Sequence, residues 1–167
     1  MISLFAELSG ERPWAAAALA AALVVFAVNG TRLAVIDART HRLPNRIVLP
    51  WYPVAVVLLG AAALLAGDPG QTLRMLAGGA ILFGFYLLLH LIQPRGMGMG
   101  DVKLAGVLGL HLAFPAWEYL ALGTLLTFLA GGLTAVVLVL TKRIDAKASV
   151  PFGPFMVLGT AGALLIG

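Results

Sequence analysis

The chain has 167 residues, of which 61% are hydrophobic and 11% charged, with no cysteine and a formal net charge of +4. Soluble domains carry roughly 25% charged residues, so this chain has too little polar surface to face water on all sides, and its mean hydropathy of +1.01 agrees. Disulfides, thiolate metal sites and a cysteine nucleophile are excluded; what remains is an all-α polytopic membrane protein, each long apolar run approaching the ~20 residues that cross a bilayer as a helix.

Residues 1–13 read as a short amphipathic lead-in, with Ile2, Leu4, Phe5 and Leu8 available to the interface. Glu7 and Glu11 set against Arg12 deny it the basic start of a secretory signal. The first span covers residues 14–36, with Asn29 and Arg32 in its final third, where Arg32 can snorkel to the near interface. A polar loop runs from Asp37 to Arg46, and Pro44-Asn45 opens the next helix. The second span is residues 47–66, anchored by Trp51 and Tyr52. After a turn at residues 67–70, the third span is residues 73–92.

The stretch 93–103 reads QPRGMGMGDVK, so Asp101 stands where a fourth span, residues 102–114, begins. That span is short for a crossing, which predicts a start below the surface against protein. The fifth span is residues 117–140; a basic loop over 141–149 and the segment Val150-Pro-Phe-Gly-Pro-Phe155 precede a last apolar run. The expectation is six spans in one transmembrane domain over residues 1–167. Glycines inside the runs, among them Gly78, Gly79, Gly106, Gly109 and Gly159, read as helix-packing positions.

Eight of the eleven basic residues fall after the first, third and fifth spans. The positive-inside rule then makes those loops cytoplasmic and puts both termini outside. Asp37 and Asp101, 64 positions apart, share the cytoplasmic side. The other acids lie in outer flanks and turns (Glu7, Glu11, Asp68, Glu118) or among the basic residues of the last loop (Asp145). His41, His90 and His111 have no metal-site spacing. Basic loops without interleaved aromatics argue against nucleic acid.

Two carboxylates brought together do not both ionise easily, so one keeps a proton while the other can take one from water. That is the chemistry of aspartyl peptide hydrolysis. The bland alternative pairs Asp101 with Lys103 or Arg95, and Asp37 with Arg39. Two further readings use the same chain: a proton- or cation-coupled transporter on the two acids, and a non-catalytic assembly subunit.

Gly-Met-Gly-Met-Gly-Asp101-Val-Lys-Leu resembles the GxGD motif of type IV prepilin peptidases, a group of intramembrane aspartyl proteases. Asp37 followed by Arg39 and Leu43-Pro44-Asn45 is similar to that family's first aspartate segment, and Pro151-Phe-Gly153-Pro154 to its late Pro-Phe-Gly-Pro segment. The resemblance implies that Asp37 and Asp101 are the catalytic pair. It implies that Gly98, Gly100, Lys103, Pro44, Asn45, Pro151, Gly153 and Pro154 bind substrate or shape the site: the glycines as access for an extended backbone, Lys103 as a charge balance, and Pro151 and Pro154 as the walls of an entrance. Substrates would be prepilins or pseudopilins whose short basic leader is cut at the cytoplasmic face of a bacterial or archaeal plasma membrane. No metal or other cofactor is expected. With the first aspartate at 37 and no cysteine, the zinc-binding segment of many members is expected to be absent, which leaves N-methylation of the new terminus open, as it leaves the oligomeric state.

Overall fold

The computed structural model describes residues 1–94, 96–141 and 151–166. Within them the chain forms seven helices: α1 (Ile2–Glu11), α2 (Pro13–Thr40), α3 (Asn45–Leu65), α4 (Pro69–Ile92), α5 (Met99–Ala113), α6 (Trp117–Leu140) and α7 (Gly153–Ile166). Arg95, Asp145, Val150 and the loop cations Lys142, Arg143 and Lys147 lie outside the described residues.

Four helices, α2, α3, α4 and α6, are long and apolar enough to cross a membrane. The expected count of six is therefore corrected to four long spans and two short helices, α5 with 15 residues and α7 with 14. At 1.5 Å per residue α5 is about 22 Å long, short of the ~30 Å hydrocarbon core. It survives because protein surrounds it: every residue from Leu104 to Phe114 is buried, and α3, α4, α6 and α7 all pack against it.

The first span ends later than the apolar pattern predicts. Instead of giving way to a loop at Asp37, α2 continues to Thr40 and stops at His41, which takes the left-handed conformation (φ 52°) and donates its N–H to the Asp37 carbonyl at 2.8 Å. The last turn is polar because it lies at the edge of the apolar layer, where charged side chains reach water without unwinding the helix. Asp37 is consequently a helical residue facing the bundle, 5% exposed.

The tightest seam joins α4 to α5. A Cβ at Gly109 would lie 2.6 Å from the Gly78 carbonyl oxygen and 2.9 Å from the Gly79 Cα. The two backbones are in direct contact, as small residues allow between membrane helices. The far end of α5 is closed by an arginine from α4. Arg74 donates from Nε to the Ala113 carbonyl (2.9 Å) and from one terminal nitrogen to those of Phe114 (2.6 Å) and Pro115 (2.9 Å). These are the carbonyls a helix end leaves without partners, and at membrane depth water is a poor substitute. Arg74→Met should thus cost about 2 kcal/mol or more of stability, read as an earlier thermal unfolding midpoint in detergent, with α5 the first helix to gain hydrogen exchange.

Candidate active site

The spacing of the glycine-rich motif is the geometry of a helix start. Gly98 is the N-cap of α5, Met99 and Gly100 are its first two residues, and Asp101 is the third. An acidic side chain at that position reaches back to the N-cap backbone. Asp101 does so, its Oδ2 accepting the Gly98 N–H at 3.0 Å. The positive end of the helix dipole favours a carboxylate there.

Asp37 is held in a matching way by a different helix. Its Oδ2 accepts the N–H of Gly153, the first residue of α7, at 2.9 Å. A Cβ at position 153 would lie 2.8 Å from that oxygen, so only glycine allows the approach. Each aspartate is therefore fixed through one oxygen by a glycine N–H at a helix N-terminus. Among the described residues Oδ1 of each has no hydrogen-bond partner. Helix α7 packs on both α2 and α5, so the helix that holds Asp37 also touches the helix that carries Asp101.

The other residues singled out in the sequence divide between this site and its scaffold. Gly100 lies against Leu43: a Cβ there would come within 2.9 Å of the leucine Cβ. The missing side chain lets the turn between α2 and α3 approach the start of α5, with Leu43 filling the space beside Gly100. Pro44 is the N-cap of α3. Lys103 donates to Asn45 Oδ1 at 3.0 Å, and Tyr52 donates to the Lys103 carbonyl at 2.6 Å. These bonds lash α3 to α5 beside the site. Pro151 precedes α7 and Pro154 is its second residue, where a ring without an N–H removes no helical hydrogen bond. Among the described residues backbone N–H groups hold the acids, and neither Lys103 with Asp101 nor Arg39 with Asp37 forms an ion pair; Arg95 lies outside the described residues.

Lys103 and Asp101 are two residues apart on a helix, hence on different faces. Whatever reaction the acids perform, Lys103→Met should then keep its rate within about five-fold of the parent, the worth of one exposed polar contact. A loss beyond a hundredfold in kcat would instead put its charge on the reaction.

Sequence reasoning did not find Arg74 or the aromatic group above the site. Phe152 lies 5.4 Å from Phe128 and 6.4 Å from Tyr86, centroid to centroid, and Tyr86 is buried. Its period along α4 is that of an ordinary packed face, so no signal marked it. His90, in the last turn of α4, meets the Met97 carbonyl through Nδ1 at 2.7 Å, and His111 is buried in the core. Among the described residues no three His, Asp or Glu side chains cluster as metal ligands.

The family model described as the type IV leader peptidase family matches residues 24–140, which include both aspartates. Similar proteins named prepilin leader peptidase/N-methyltransferase occur in Burkholderia pseudomallei (35% identity over 152 residues, 88% of this chain and 47% of that one). Others are found in Pseudomonas putida (32% over 159 residues, 92% and 53%) and Aeromonas hydrophila (32% over 152 residues, 89% and 50%). The chain spans about half the length of these curated relatives. No solved structure matches. The family match covers most of the chain and encloses both aspartates: the chain belongs to the type IV leader peptidase family.

Proposed function

We propose that this multi-pass membrane protein is an aspartyl endopeptidase that removes the basic leader from type IV prepilin or pseudopilin precursors. The observation that supports the reading is that Asp37 and Asp101 are each pinned through one oxygen by a glycine N–H at a helix N-terminus, with the other oxygen left for chemistry; the two act as a pair. The pair holds one proton between them. The carboxylate takes a proton from water as the water oxygen bonds to the scissile carbonyl carbon, and the carboxylic acid gives its proton to the carbonyl oxygen. Collapse of the tetrahedral intermediate breaks the C–N bond: one hydroxyl proton returns to the carboxylate that gave it as the C=O reforms, and the proton taken from water passes to the leaving nitrogen. The carboxylates make every transfer, so the scheme uses no cofactor.

The charge distribution supports a cytoplasmic site and outer termini, in a bacterial inner membrane given the organisms of the relatives. Leader cleavage is the activity proposed, and family membership weighs against the transporter reading. Co-expression with a prepilin tests it: the parent chain should shift the precursor to its shorter form on a gel, and the Asp101→Asn variant should leave it whole. A precursor processed equally with and without Asp101 would falsify the proposal.

A further inference from the structure

A groove of about 360 Å³ lies between α2 and α3, with no lining residue from α5, the helix that carries Asp101. Its polar lining is cationic or neutral: Arg32, Arg46 and Asn29. Its floor is apolar, made by Ile36, Ile47, Pro50 and Val54. No carboxylate lines it, and both arginines are exposed.

The depths of the two arginines agree. Arg32 is 19 residues beyond Pro13, where α2 begins, a rise of about 28 Å against a hydrocarbon thickness of ~30 Å. Arg46 is the second residue of α3, which crosses in the opposite direction. Two helices entering from opposite sides thus bring two guanidinium groups to one boundary of the apolar layer, the level of the lipid phosphates. An arginine facing lipid there is costly unless an anion meets it, and guanidinium forks match phosphate oxygens geometrically.

We propose that this groove is a binding site for one anionic phospholipid, its phosphate held by Arg32 and Arg46 with Asn29 beside them. An acyl chain lies along Pro50 and Val54. Charge, depth and the apolar floor together select an amphiphile with a negative head. A soluble phosphate shares the head chemistry and leaves the floor bare. A cationic peptide would meet two like charges.

The test uses the full chain in phosphatidylcholine vesicles with and without phosphatidylglycerol, reading the motionally restricted fraction of spin-labelled forms of each lipid by electron spin resonance. The parent should restrict phosphatidylglycerol at least about five-fold more than phosphatidylcholine, the worth of roughly 1 kcal/mol per basic residue near the surface. In Arg32→Gln/Arg46→Gln the preference should fall below two-fold. Arg39→Gln/Arg42→Gln, which removes equal charge from residues outside the groove lining, should keep it. Millimolar inorganic phosphate should not displace the lipid. The proposal is overturned if the parent shows no preference, if the groove variant keeps it, or if the control loses it equally, leaving only diffuse surface charge. Full displacement by phosphate would overturn it in favour of a soluble anion. Helical content by circular dichroism, read on every variant, keeps a misfolded groove variant from counting as support.

Discussion

Asp37→Asn and Asp101→Asn are each expected to lower leader cleavage by at least about a thousandfold, within the range that general acid–base groups contribute. The amide can still accept the Gly153 or Gly98 N–H through its oxygen, so geometry survives while the exchangeable proton does not. Both variants should therefore insert and unfold like the parent. The informative measurement is the double variant. Two carboxylates that act as one proton-sharing unit lose almost everything with the first substitution, and the second should add less than about ten-fold. Rates that multiplied would mean two independent contributions and would remove the dyad from the mechanism.

Gly153→Ala should be the most damaging substitution outside the pair, lowering kcat by about a hundredfold with a smaller change in KM. The new methyl group would fall 2.8 Å from Asp37 Oδ2, so α7 or the carboxylate must move. A displacement approaching 1 Å in a reacting group costs on that order. The N–H is retained in alanine, which separates steric displacement from loss of the hydrogen bond. Single-turnover cleavage of a saturating prepilin measures it. A parent-like kcat would show that the contact between Gly153 and Asp37 is not kept during the reaction.

The legibility of the site in the sequence was uneven for physical reasons. Asp101 was visible because its constraint is local: a helix start fixes the glycines and the acid within four residues, and that spacing survives as a motif. The support of Asp37 is 116 positions away at Gly153, and no periodicity connects a helix face to the first residue of another helix. The Pro-Phe-Gly-Pro segment was read as an entrance, with its backbone donor hidden. Nothing in the sequence marked Arg74 as a cap, since hydropathy says nothing of the carbonyls a cation can meet. The long spans were plain from composition, and the short fourth run already pointed to a helix sheltered by protein; α5 and α7 were still counted among six spans because burial inside a bundle leaves the same apolar signature as lipid.

The glycine seam has a consequence for how the protein responds to its membrane. Asp101 belongs to α5, which is welded to α4, while Asp37 belongs to α2. Helices α2 and α4 have 28 and 24 residues, and a lipid-facing helix answers a thicker or thinner bilayer by changing its tilt. Two helices of unequal length tilt by unequal amounts, and α5 follows α4. The height of one carboxylate relative to the other is thereby coupled to acyl-chain length, and the lipids become part of the alignment of the site.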